Sequence, residues 1–111
     1  MVATGAQGQA AGAGSGTGPL AGKTCLVMGV ANRWSIASAI AEAMAGAGAR
    51  LAVSYLDERA KRDADALIAD VPGGLSYQCN VESDEELDAF AAALQRDLGR
   101  VDALVHSIAF A

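Results

Sequence analysis

TCLVMGVANRWSIASAIAEAMAGAG, residues 24–48, is the stretch from which the fold can be read. Its first six residues form a short, continuous apolar run closed by Gly29, the pattern of a strand buried on both faces of a parallel sheet. A helix is expected from Ser35, with Ile36, Ile40, Ala43, Met44 and Ala47 on one stripe and Gly46 and Gly48 at its end. A strand, a glycine turn and a helix in this order make the opening of a βαβ unit.

The rest of the chain repeats that unit. RLAVSY (50–55) reads as a second strand, and residues 58–70 place Ala60, Ala64, Leu67 and Ile68 on one helical face before Pro72, Gly73 and Gly74 break the chain. LSYQCNV (75–81) reads as a third strand. Ser83 and Glu86 then match a capping box, Asp84 and Glu85 suit the positive end of a helix, and Leu87, Phe90, Ala91, Leu94 and Leu98 share a face that Gly99 closes. DALVHSIAFA (102–111) is a fourth strand and its exit. Strand starts at 24, 50, 75 and 102 recur every 25 to 27 residues, room for a strand, a helix and two short loops. Right-handed crossovers then arrange the strands in the order 3-2-1-4: an α/β, Rossmann-like, doubly wound parallel sheet that stops after its fourth strand.

Upstream, residues 1–18 are uncharged and mostly small, so burial cannot offset the entropy of ordering them; they are expected to be a flexible Gly/Ala-rich leader, with 19–111 forming the N-terminal half of a dinucleotide-binding domain. A hydrophobic content of 52% and a mean hydropathy of +0.26 exclude wholesale disorder. The net charge of −5, with eight scattered basic residues, argues against a nucleic-acid partner. No apolar run approaches the roughly 18 residues of a membrane span, and the N-terminus lacks the basic start and apolar centre of a secretory signal, so a cytoplasmic location is expected. Cys25 and Cys79 each lie within an apolar run, without metal-ligand spacing, and read as buried free thiols.

In a sheet of this order the ligand sits beyond the strand ends where the order reverses, between the first and fourth strands. The loop there is GVANRWS (29–35), which is not GxGxxG, because no glycine follows Gly29 until Gly46. Gly29 permits a tight turn, and Ser35 offers a hydroxyl and a free backbone N–H at a helix N-terminus, which together suit a phosphate. An ordinary N-capped helix after a glycine turn fits the same spacing.

Residues 26–55, LVMGVANRWSIASAIAEAMAGAGARLAVSY, resemble the corresponding segment of bacterial and plastid enoyl-acyl-carrier-protein reductases, a divergent branch of the short-chain dehydrogenase/reductase superfamily. That branch replaces the glycine-rich turn by a glycine, five residues and Ser-Ile-Ala, as in Gly29 to Ala37, and VHSIAFA (105–111) resembles its fourth-strand signature. The resemblance runs from Leu20 to the end of the chain. It implies cofactor contacts at Gly29, Ser35 and Ile36 on the pyrophosphate and ribose side, at Asn80 and Val81 on the adenine, and at Ile108; Phe110 and Ala111 fall on the substrate side. Two positions depart from the pattern: Asn80 stands where the family usually has Asp, and Leu56 stands where many relatives carry a glutamine near the adenosine ribose, leaving it backbone and apolar contact.

Asp57 and Glu58 would repel a ribose 2′-phosphate and favour NADH, while Arg59, Lys61 and Arg62 leave NADPH open. The implied reaction is reduction of a trans-2-enoyl thioester on acyl carrier protein, in fatty-acid biosynthesis, by a homotetramer. The tyrosine and lysine that the family uses lie beyond the position matching Ala111, so no catalytic residue is assigned and the chain is expected to be an inactive N-terminal portion of a longer reductase. His106, with no carboxylate or nucleophile placed beside it, reads as structural, and no metal ligands are assigned. Two other readings stay open: a short-chain dehydrogenase of different substrate, and a catalytically inert nucleotide-binding module.

Overall fold

The computed structural model describes residues 17–108. Seven elements alternate along it: β1 (Thr24–Val30), α1 (Ile36–Gly46), β2 (Arg50–Tyr55), α2 (Glu58–Ile68), β3 (Leu75–Gln78), α3 (Asp84–Asp97) and β4 (Ala103–His106). The strands form one sheet in the order β3-β2-β1-β4, with every neighbouring pair parallel, which is the Rossmann-like arrangement expected from the sequence. The leader expected at 1–18 lies, apart from Thr17 and Gly18, outside the described residues, as do Phe110 and Ala111.

Strand alternation divides the core between the two faces. Val27, Leu51 and Val53 point to one side, where Ala37 and Ala41 of α1 and Ala60 and Ala64 of α2 cover them. Leu26, Met28 and Ala52 point to the other, where Phe90 of α3 packs with Leu87, Leu94 and Leu98 beside it. Pairing of β1 with β2 runs in register from Thr24 against Arg50 to Met28 against Ser54, then slips so that Val30 faces Tyr55. The bulge leaves Val30 on the same side as Val27, where a strict two-residue period would have sent it to the α3 side.

Four expectations need correction. The buried face of α1 is Ala37, Ser38 and Ala41, whereas Ile36 is 73% exposed and Ala43 is exposed; small side chains let the helix lie close on β1, and the bulkier Ile36 is left on the outer side of the first turn. β3 ends at Gln78 rather than Val81: the Cys79 N–H still donates to the Tyr55 carbonyl at 2.9 Å, but the Asn80 N–H is diverted to the Glu86 carboxylate at 2.9 Å. The capping box at α3 is half formed. Ser83 Oγ accepts from the Glu86 N–H at 3.2 Å, while the Ser83 N–H donates to the Asn80 carbonyl at 3.0 Å instead of to the Glu86 side chain. Ala91, expected on the packed face of α3, is exposed.

Candidate cofactor-binding site

A cleft of about 510 Å³ opens at the C-terminal ends of the strands, within the roughly 300–1,000 Å³ range of small-molecule sites. Gly29 and Asn32 line it from the β1–α1 turn, Leu56 and Asp57 from the β2–α2 turn, Val81 from the segment after β3, and Ile108 from the exit of β4. It therefore lies where the strand order reverses.

Gly29 has φ of +104°, a conformation that L side chains rarely adopt, and a Cβ there would strike the carbonyl of Ser107 and the side chain of Ile108. Glycine thus serves two ends at once, permitting the bulge and letting the exit of β4 close against the turn.

Between Gly29 and α1 the turn is held by its own hydrogen bonds. The Asn32 carbonyl accepts the Ser35 N–H at 3.1 Å, the Ser35 Oγ at 2.8 Å and the Ser38 Oγ at 2.6 Å. Asn32 Oδ1 accepts the Trp34 N–H at 2.8 Å, and Asp63 of α2 accepts the Arg33 N–H at 3.0 Å. The Ser35 N–H, expected to be free for a phosphate, is therefore occupied, and its hydroxyl is the N-cap of α1, accepting the Ser38 N–H at 3.2 Å. At the start of α1 the N–H groups left for an anion are those of Ile36 and Ala37, which have no carbonyl of the helix itself one turn below them. No acidic residue lies in the first turn of α1, so the helix dipole there is not offset by its own side chains. Trp34 is 80% exposed beside this end, with the Arg33 guanidinium 4.7 Å over its ring.

The second turn is organised by Asp57, whose Oδ1 accepts the Arg59 and Ala60 N–H groups at 3.1 and 3.4 Å and so caps α2. Of the three basic residues that follow, Arg59 lines the cleft, whereas Lys61 is paired with Asp65 at 2.7 Å. The Asp65 carboxyl is held below its ordinary value by the hydrogen bond from Lys61 and then by that from Ser76. The Leu56 carbonyl already accepts Gln78 Nε2 at 2.6 Å, which leaves the half-exposed Leu56 side chain as its most open surface.

Of the residues assigned from the sequence, Gly29, Leu56, Val81 and Ile108 come together in the cleft wall, while Ser35 and Ile36 stand at the α1 N-terminus beyond Asn32. Asn80 is not in the wall, because its Oδ1 turns to accept the Glu82 N–H at 3.0 Å. Sequence reasoning missed Cys79, a buried free thiol in the wall whose ionisation is pushed up by burial and then by the Glu86 charge. It also missed Tyr55, Asn32 and Ser107; the only signal for all four is their place at or just past a strand's C-terminal end. His106 is exposed on β4, in register with Met28 of β1, and no hydrogen bond or ion pair to its side chain is found among the described residues.

A parallel sheet with its cleft at the reversal point, a glycine turn and a helix N-terminus beside it defines a Rossmann-like α/β protein of the dinucleotide-binding type. Residues 29–111 match the family model for enoyl-(acyl carrier protein) reductase, and the chain belongs to that family. It is 42% identical over 94 residues to the enoyl-acyl-carrier-protein reductase (NADH) of Bacillus cereus, covering 83% of this chain and 37% of that protein. To the enoyl-acyl-carrier-protein reductase (NADPH) of Staphylococcus aureus strain NCTC 8325 it is 37% identical over 94 residues, again covering 83% of this chain and 37% of the relative. Among solved structures, the enoyl-acyl-carrier-protein reductase of Anaplasma phagocytophilum in complex with NAD superposes with a TM-score of 0.75 at 35% identity, over 85% of this chain and 36% of that one. The chain thus spans a little over a third of the length of these relatives.

Proposed function

We propose that this chain is the cofactor-binding portion of an enoyl-acyl-carrier-protein reductase that uses NADH to reduce trans-2-enoyl thioesters in fatty-acid biosynthesis. The observation that carries the reading is the cleft at the β1/β4 reversal, built by residues that fall within the family match. When bound, the reduced nicotinamide supplies a hydride to C3 of the enoyl thioester.

The residues present fit such a cofactor. Gly29 brings the turn close to the β4 exit, and the Ile36 and Ala37 N–H groups at the α1 N-terminus receive the pyrophosphate. Ser35 acts by capping α1 and fixing the direction of those groups. Leu56 and Val81 bound the adenosine end with apolar surface, Asn80 shapes the backbone behind Val81, and Ile108 packs toward the nicotinamide end. Phe110 and Ala111, which the family resemblance assigns to the acyl-substrate side, lie outside the described residues.

Relatives include enzymes of both nicotinamide cofactors, so the charges at the β2–α2 turn decide. Asp57 already occupies the α2 N-terminus, where a 2′-phosphate would otherwise be held, and Lys61 is spent on Asp65. Arg59 alone of the three nearby cations lines the cleft, and NADH is the favoured cofactor. The family resemblance extends the reading to an acyl-carrier-protein-bound substrate, a homotetramer and a cytoplasmic location; no helix among the described residues is long and apolar enough to cross a membrane.

The test is to express the protein from its own gene and follow NADH consumption with a trans-2-enoyl thioester of acyl carrier protein. Thioester-dependent oxidation of NADH is expected. NADH binding without turnover on any enoyl thioester would contradict the reductase assignment, and absence of NADH binding would contradict the whole reading.

A further inference from the structure

Two turns that line the cleft are joined by a carboxylate that does not line it. Gln78, the last residue of β3, donates through Nε2 to the Leu56 carbonyl at 2.6 Å and to Glu86 Oε1 at 2.9 Å. The Asn80 N–H donates to the same Oε1 at 2.9 Å. Glu86 is itself fixed in the first turn of α3, because its N–H donates to the Ser83 Oγ cap at 3.2 Å. One side chain therefore ties the segment after β2, through Gln78, and the segment after β3, directly, to the N-terminus of α3. Leu56 and Val81, on either side of this tie, are cleft residues, while Glu86 is absent from the wall. A capping box would have turned this carboxylate back on the Ser83 N–H, which goes to the Asn80 carbonyl instead.

We infer that Glu86 is a positioning residue for the adenosine half of the cofactor: through Gln78 and the Asn80 N–H it sets the separation of the Leu56 and Val81 walls. The inference rests on the dinucleotide-binding reading above. Two bonds accepted by one oxygen, one from the last residue of β3 and one from the irregular segment that follows it, hold those walls at fixed spacing; without them each turn gains freedom that binding must then remove. The nicotinamide end is bounded from β1 and β4, whereas the hydrogen bonds to the Glu86 carboxylate come from Gln78 and Asn80.

ADP-ribose, which carries the adenosine half without the nicotinamide, isolates the effect. In the protein expressed from its gene, Glu86→Ala is expected to weaken ADP-ribose and NADH binding by about tenfold in calorimetry and to raise the KM for NADH alike, with kcat within about twofold of wild type. Glu86→Gln keeps the Oε1 acceptor and is expected to bind within about threefold of wild type. Asp97→Ala, which removes the partner of the Tyr77 hydroxyl at the far end of α3, serves as the control: it is expected to lower Tm without changing ADP-ribose affinity. Unchanged ADP-ribose affinity in Glu86→Ala, a fall in kcat at constant KM, or a Glu86→Gln variant no better than Glu86→Ala each overturns the inference. Should Glu86→Ala not fold, Gln78→Ala decides, with several-fold weaker ADP-ribose binding supporting the inference and wild-type binding overturning it. A wild-type protein that binds neither ADP-ribose nor NADH overturns the dinucleotide-binding reading itself, a result distinct from loss in the variants alone.

Discussion

Gly29 carries both the bulge in β1 and the approach of the β4 exit, and its φ of +104° leaves no room for a Cβ against Ser107. Gly29→Ala is expected to cost about 2–3 kcal/mol from backbone strain and overlap, seen as a lower midpoint in denaturant unfolding. Asp102 is a second such residue. Its carboxylate accepts the Thr24 N–H at 2.8 Å while its own N–H donates to the Thr24 carbonyl at 2.8 Å, locking the starts of β1 and β4 together. The Thr24 N–H, and after it Arg100, hold this carboxyl below the ordinary 3.8. A depressed folded-state value gives stability that is complete above the unfolded value and lost as pH falls through the folded one. Asp102→Asn is therefore expected to flatten the stability–pH curve below pH 3.8 while leaving its shape at neutral pH unchanged, as read by urea unfolding at a series of pH values.

At the level of elements, α3 depends on its first turn and on one aromatic. Ser83→Ala removes the N-cap and is expected to cost about 1 kcal/mol, and Phe90→Ala, emptying a buried site in the cluster it shares with Leu26 and Met28, about 3 kcal/mol or more. Tyr77 ties β3 to the same helix through a 2.9 Å hydrogen bond from its hydroxyl to Asp97. Burial, and then that bond, push its phenol up to about 12, so its contribution is complete below pH 10 and is lost as pH rises toward 12. All seven elements were legible in the sequence because apolar runs and helical periodicity alternate without overlap. What was not legible follows from tertiary partners. Hydropathy put Ile36 in the core of α1, but close packing on β1 selects the small Ala37, Ser38 and Ala41. Likewise the capping pattern Ser-x-x-Glu is satisfied on one side only, since Gln78 and the Asn80 N–H offer the Glu86 carboxylate more than the Ser83 N–H does.

Across the whole molecule, strand order and the place of the cleft followed from element order and crossover handedness alone. Which groups face the cleft was legible only in part: Gly29, Leu56, Val81 and Ile108, assigned to the cofactor from the sequence, do line one cleft, but Cys79 and Tyr55 are marked by nothing beyond their strand-end positions, and the Ser35 N–H is consumed by Asn32. The sheet is asymmetric. The α1/α2 face is covered, whereas on the other face of β4 Leu104 is 58% exposed next to the exposed His106. Charge acts at this scale too. Asp57→Asn keeps an N-cap for α2 but removes a negative charge from the cleft, and it is expected to narrow the NADH-over-NADPH preference several-fold in a comparison of KM values. The central claim, that the strand-end cleft receives the dinucleotide, is tested most directly by hydrogen exchange of the protein with and without NADH. Protection is expected in residues 29–37, 56–57, 79–81 and 107–108, the β1–α1 turn with the start of α1 and the strand-end segments around the cleft, whereas NADH binding that leaves them unprotected, or protects another surface, would contradict it.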